Sequence, residues 1–384
     1  MLKVGRGAVV PPFMVMDVIA AANARQAALG DRRKVIRMEV GQPGTGAPAG
    51  AVAAAMAALS AGLPMGYTEA MGRASLRARI ARHYRDWYQA EVDPARIAVT
   101  VGASGAFPLA FLAAFDPGDR IAMASPFYPP YVNILASLGM QPVLIEAGPE
   151  TRFQPSIAAL ERLDPRPQGL IVASPCNPAG TMLHPDELAA IGAWCAAEGV
   201  RLISDEIYHG LHYETPVATA AAIPGAVVVN SFSKYFSMTG WRIGWMVLPA
   251  DLVRPVECLA QNHVISAPHI AQVAAEAAFD CAEELDANVA RYRRSRDVLR
   301  AALPGAGLDL VTPAEGAFYL WADISRRSND SQEFAARLLA EADIAASPGV
   351  DFDRGRGARY VRFSYCGPEA DMAAAAARIA AWRG

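Results

Sequence analysis

From residue 97 onward, short apolar runs rich in β-branched residues alternate with stretches whose apolar positions recur at helical spacing. The runs cover residues 97–100, 120–124, 142–145, 170–173, 201–204, 226–230 and 243–248. Several are apolar at consecutive positions rather than at every second one, as in Val227-Val228-Val229, and this suits strands covered on both faces. Such strands separated by helices predict an α/β fold, a mostly parallel seven-stranded sheet covered by helices.

Upstream, residues 13–29 carry a helical pattern that ends at Gly30, and 35–40 form a short apolar run stopped by Gly41-Gln42-Pro43-Gly44. Alanine-rich helices are expected at 49–61 and 73–90, with the break Gly62-Leu63-Pro64-Met65-Gly66-Tyr67 between them. Neither glycine nor proline occurs between Pro268 and Pro304, which predicts one very long, bent helix leaving the sheet. Beyond it, runs at 308–312, 317–322 and 360–365 alternate with helical stretches near 331–341 and 368–383, the pattern of a small α+β unit. The expected division is an N-terminal arm and part of the small domain at 1–45, a large domain at 46–280 and the rest of the small domain at 281–384.

Composition narrows the chemistry. The chain has 384 residues, 53% of them hydrophobic, enough for a sizeable core. With 35 basic and 38 acidic residues it offers no basic field for nucleic acid or a membrane surface, so small molecules are the expected partners. Its five cysteines, odd in number and without a C-x-x-C, suggest neither a disulfide framework nor a metal site and fit a reducing cytoplasm. The N-terminus lacks a signal-peptide pattern, and no run is long and apolar enough to span a bilayer.

Ligands of open α/β sheets bind beyond the carboxyl ends of the strands, so the loops after the runs are informative. After 226–230 comes S-F-S-K, and Lys234 sits where burial would lower its pKa and free the amine to attack a carbonyl. Arg242, eight positions on, could clamp a phosphate, and together the two suggest pyridoxal phosphate. Taken singly, each also reads as a surface lysine and an ion-paired arginine. The small-residue turn at Ala103, Ser104 and Gly105 opens a helix whose amides would face an anion. Tyr128, in S-P-F-Y-P-P-Y, could stack on a planar ring; Asn177 offers an amide donor or is a turn residue before proline. Asp205 enters at a buried strand end, which is costly unless paired, and a pyridinium N–H is a suitable partner.

Asn177-Pro178, D-E-x-Y from Asp205, S-F-S-K from Ser231, G-W-R-I-G from Gly240 and V-R-F-S from Val361 together resemble the class I/II aminotransferases, fold-type I enzymes that use pyridoxal 5'-phosphate. The match runs from Gly41 to Arg362 in the family's order. It implies that Lys234 forms a Schiff base with the cofactor and then shuttles the proton between Cα and C4′. Asp205 would pair with the ring nitrogen, Asn177 and Tyr208 would bond the phenolic oxygen, and Tyr128 would stack on the ring. Ala103, Ser104, Ser231, Ser233 and Arg242 would hold the phosphate, with Tyr67 reaching it from the other subunit of a homodimer with shared active sites. Arg362 would bind the substrate α-carboxylate, with Gly41 closing over it. The expected function is amino transfer between an amino acid and a 2-oxo acid. A β-eliminating lyase on the same scaffold and a non-enzymatic effector-binding module are the rivals, the second disfavoured by the lack of a basic helix-turn-helix segment.

Family members that prefer aspartate or glutamate supply a cation for the distal carboxylate. The corresponding stretches here, Ser266-Ala267-Pro268 and Ala103-Ser104-Gly105, hold none. A neutral, apolar or aromatic substrate is expected, with Phe13, Met14, Met16 and Phe318 lining its side-chain pocket and Arg354 or Arg356 as the alternative source of a cation.

Overall fold

The computed structural model describes residues 2–383. Helix α1 (Met14–Leu29) leads into strand β1 (Ile36–Met38), and α2 (Ala49–Ser60) and α3 (Ala74–Tyr88) precede the large sheet. That sheet is built from β2 (Ile97–Thr100), β3 (Arg120–Ser125), β4 (Gln141–Glu146), β5 (Gly169–Ala173), β6 (Arg201–Asp205), β7 (Val227–Ser231) and β8 (Gly244–Val247). Between them run α4 (Gly102–Ala114), α5 (Pro130–Ser137), the short α6 (Ile157–Glu161) and α7 (Pro185–Glu198). The spatial order is β2-β8-β7-β6-β5-β3-β4, with β8 the one strand antiparallel to its neighbours, so the expected seven-stranded, mostly parallel sheet forms. Val227, Val228 and Val229 in its centre are fully buried. Burying each such side chain is worth about 1.5–3 kcal/mol, so this run anchors the strand that leads into the Lys234 turn.

The chain leaves the sheet through α8 (Ala250–His263), α9 (His269–Ala278) and α10 (Ala282–Ala302). The single long helix expected here is therefore two. Phe279 sits at the break with its ring among those of Phe232, Phe236 and Trp245, at 4.9 to 6.2 Å, and under the guanidinium of Arg79. Seating that ring in the core turns the chain, with Asp280 and Cys281 bonding back three residues instead of four.

A second sheet combines β9 (Asp309–Leu310), β10 (Tyr319–Asp323), β11 (Ile344–Pro348) and β12 (Tyr360–Ser364), with α11 (Ser331–Ala342) and α12 (Glu369–Ala381) beside it. Its order is β1-β11-β12-β10-β9, so the strand nearest the N-terminus closes one edge, parallel to β11. Strand β11 has no counterpart among the expected elements. Its sequence, IAASP, has little strand propensity, and pairing on both sides overrides that. In register, Ser347 of β11 and Trp321 of β10 both stand opposite Arg362 of β12.

Candidate active site

Where the carboxyl ends of the large sheet meet β10 and β12, a cavity of about 220 Å³ opens. Its wall includes Gly41, Ala103, Ser104, Tyr128, Asn177, Asp205, Tyr208, Ser233, Lys234, Arg242 and Arg362, residues that the sequence scatters over more than 300 positions.

Lys234 lies in the turn after β7, and that turn is tied down by hydroxyls. Ser231 Oγ bonds Ser233 Oγ at 2.9 Å and donates to Ile243 O at 3.1 Å, while Thr239 Oγ1 donates to Ser233 O at 2.9 Å. Lys234 Nζ donates to Gly41 O at 2.5 Å and lies 5.7 Å from the ring centre of Tyr208. Burial pulls its pKa down to about 8; Arg362 and Arg242 add to the fall, and Cys366 and Asp205 oppose it. About a tenth of this amine is uncharged at pH 7, far more than for a lysine in water, and the uncharged form is the nucleophile.

Asp205 closes β6, and burial lifts its pKa to about 6 against the pull of its partners. Those partners are the Tyr131 hydroxyl, which donates to Oδ2, and the Ile207 N–H, which donates to Oδ1 at 3.1 Å. Tyr131 was not among the expected site residues. It sits three residues past Tyr128 at the start of α5, the spacing that lets both rings face one side, and the two meet edge to face at 5.3 Å.

Arg242 adopts a left-handed backbone, φ 52°, and its Nη1 donates to Thr239 O at 2.9 Å. A Cβ on Gly102 would come within 2.5 Å of its Nη2, so only glycine lets this guanidinium lie against the first turn of α4. There the unpaired amides of Ala103 and Ser104 make a positive end for an anion.

On the far wall, Arg362 is almost fully buried. Nη1 donates to Asn177 Oδ1 at 2.7 Å, and Nη2 donates to Glu39 O at 2.5 Å and Ser347 Oγ at 3.1 Å. Since an arginine has only donors, Asn177 must turn its oxygen to Arg362, which leaves its NH2 free. Three of the five guanidinium N–H groups are engaged and Nε has no partner, so donors remain for a carboxylate.

Other expected residues lie elsewhere. Ser231 is buried off the cavity wall, its hydroxyl spent on Ser233 and Ile243. Tyr67 is 83% exposed and lies off the wall in the single chain. Of the side-chain pocket residues, Phe13 is on the wall and Met14, Met16 and Phe318 are not; Val15, Val40 and Tyr319 are. In the last exchange Tyr319 meets the cavity, while the neighbouring Phe318 ring packs behind it against those of Tyr208, Tyr292 and Tyr319. Met16 points to solvent from α1. Arg356 is committed to Asp353 Oδ2 at 2.9 Å and to the carbonyls of Ser125 and Ala147, and neither it nor Arg354 reaches the wall.

A desolvated lysine facing a buried carboxylate at the strand ends of an α/β sheet, with an arginine supplied by a second sheet, defines an enzyme whose lysine does carbonyl chemistry. Residues 33–379 match the family model for aminotransferase class I and II. The valine–pyruvate aminotransferase of Mycobacterium tuberculosis is 48% identical over 99% of this chain and 98% of its own. The crystal structure of an aminotransferase from the same organism superposes with a TM-score of 0.96 at 47% identity, covering 100% of this chain and 99% of the other. The aspartate aminotransferase of Thermus thermophilus with maleate superposes with a TM-score of 0.92 at 31% identity, over 99% and 100% of the two chains. The chain belongs to the class I and II aminotransferases. It is an enzyme that transfers an amino group between an amino acid and a 2-oxo acid.

Proposed function

We propose that the cavity holds pyridoxal 5′-phosphate and that the enzyme acts on neutral, apolar amino acids, with valine as donor and pyruvate as acceptor a pair to test first. The observation that supports the cofactor is the match of donors to its groups around one cavity: Asp205 for a ring nitrogen, Arg242 and the α4 amides for a phosphate, Tyr208 and the free NH2 of Asn177 for a phenolic oxygen. The glycine cradle at Gly102 would be filled by any Cβ. The cofactor supplies an electron sink next to the substrate amino nitrogen.

The chain's own residues do the rest. Lys234 would anchor the cofactor and, with its amine free, would carry the proton between the substrate Cα and C4′. Asp205 keeps a positive ring nitrogen favourable, while Tyr131 and the Ile207 amide hold the carboxylate in place. Arg362 receives the α-carboxylate with its remaining donors. Ser233 and, one step back, Ser231 brace the turn at the phosphate end.

Substrate class is read from the wall beyond Arg362. Phe13, Val15 and Val40 are apolar, and the cations on the described wall are Lys234, Arg242 and Arg362, each with a role already. A second carboxylate would be buried there unpaired, at a cost of several kcal/mol, or roughly two orders of magnitude in kcat/KM. The relative named for valine and pyruvate points the same way. Comparing kcat/KM for valine, leucine and methionine with that for aspartate, pyruvate as acceptor, is expected to favour the neutral donors about a hundredfold or more. A lead for aspartate that disappears on changing Arg354 would overturn this reading.

We further propose a homodimer, in which Tyr67 of each chain reaches the phosphate end of its partner's cavity. Its exposure, beside the exposed Leu63, Val264 and Ile265, supports that reading. Sedimentation at assay concentration should give a dimer, and a fully active monomer would exclude a shared site. The small unit is taken as 1–45 with 281–384, and the large one as 46–280. No described helix is long and apolar enough to cross a membrane. All five cysteines are unpaired, and a cytoplasmic location is proposed on that ground.

A further inference from the structure

Tyr319 lies between two groups that act on different parts of the reaction. Its ring supports Arg362, whose guanidinium carbon stands 4.4 Å from the ring centre, with Phe352 on another side at 4.6 Å. Its hydroxyl lies 2.7 Å from the hydroxyl of Tyr208, the two rings meeting edge to face. The same hydroxyl presses on the backbone at Gly41, where a Cβ would come to 1.7 Å from it. Glycine at 41 is thus required by Tyr319 itself, and Gly41 O in turn receives the Lys234 amine. One buried side chain therefore touches the carboxylate anchor, the phenol and the loop that meets the lysine.

We propose that Tyr319 is a positioning residue for both half-reactions, its ring fixing the plane of Arg362 and its hydroxyl fixing the direction in which Tyr208 donates. This rests on the reading of the cavity as a pyridoxal-phosphate site. In the pair of phenols either oxygen can donate. Once Tyr208 gives its proton to a phenolic oxygen in the cavity, Tyr319 is the hydroxyl that can give its own to Tyr208, and a phenol that accepts one hydrogen bond donates a stronger one. The titratable groups that face the pair are Arg362, Tyr128, Cys366 and Lys234. Burial pushes the phenol of Tyr319 up to about 12, so it stays a donor through the working pH range.

Two substitutions separate the halves of the proposal. Tyr319→Phe keeps the ring and removes the oxygen. A weaker donor to the phenolic oxygen leaves more electron density for the proton shared with the Lys234 nitrogen. The pH midpoint of the visible cofactor band is therefore expected to rise, with kcat down by roughly threefold to tenfold and KM little changed. Tyr208→Phe should raise the midpoint too, and the double variant should add nothing further, because Tyr319 acts through Tyr208. Tyr319→Leu, which takes the ring from under Arg362, should raise KM for the 2-oxo acid roughly tenfold. A Tyr319→Phe protein with the wild-type midpoint and kcat overturns the hydroxyl's role, and a Tyr319→Leu protein with the wild-type KM overturns the ring's. Wild-type protein showing no visible band with pyridoxal phosphate overturns the underlying cofactor reading and this proposal with it; a band present in the wild type, with the midpoint unmoved in Tyr319→Phe and KM unmoved in Tyr319→Leu, overturns the proposal alone.

Discussion

Lys234→Ala should lose transamination by at least about four orders of magnitude, the sum of a lost nucleophile and a lost acid/base. The size of the effect follows from the setting of the amine. With its pKa pulled down to about 8 by burial, its uncharged fraction at pH 7 is about 300-fold that of a lysine in water. No second amine lies on the described wall. Arg242 and Arg362 offer only hydrogen-bond donors, and the nearby Cys366 thiol is pushed up by burial and bonded to Gln42 O at 2.9 Å. The loss should be in chemistry, with the variant still binding cofactor through Arg242 and the first turn of α4. Measured turnover within tenfold of wild type would show that the proton moves by another route.

Asp205→Asn should slow the first half-reaction by about 10²–10³-fold, the usual cost of removing one fixed electrostatic stabiliser from an active site. The change suits a test because it is nearly isosteric and the local bonds survive it. The asparagine oxygen can keep the Ile207 N–H, and its NH2 can donate to Tyr131 once that hydroxyl turns to accept. What is lost is the charge beside the ring nitrogen. The cofactor content of the purified variant should stay near one per chain, and single-turnover rates measured by the loss of the visible band should carry the whole effect. An unchanged rate would remove Asp205 from the mechanism.

The large sheet is legible in the sequence because its central strands, buried on both faces, are apolar at consecutive positions, as in Val227-Val228-Val229, and no other element writes itself so plainly. Strand ends then point to the site, and Asp205, Asn177 and Lys234 follow from that one rule, while Arg242 follows from its place eight residues after Lys234 between Gly240 and Gly244. What escapes is decided by partners far along the chain. Strand β11 is alanine-rich and exists because β1 and β12 pair with it. Helix α8 carries an internal proline, Pro255, which breaks the pattern that would announce it. Ser347 and Glu39, which set the Arg362 guanidinium, come from strand registers and a carbonyl that no motif records. Tyr319 is one residue from an expected wall position, and no motif marks it over Phe318, whose ring lies 5.1 Å from its own. Tyr131 carried a usable signal, its spacing of three from Tyr128 at a helix start.

Covalent trapping tests whether Lys234 carries the cofactor. Purified protein is incubated with pyridoxal phosphate, reduced with borohydride, digested and mapped by mass spectrometry. Close to one phosphopyridoxyl group per chain is expected on the peptide that contains Lys234, with loss of the visible band and of activity in step. Label on a different lysine, or full activity in protein whose Lys234 stays unmodified, would contradict it.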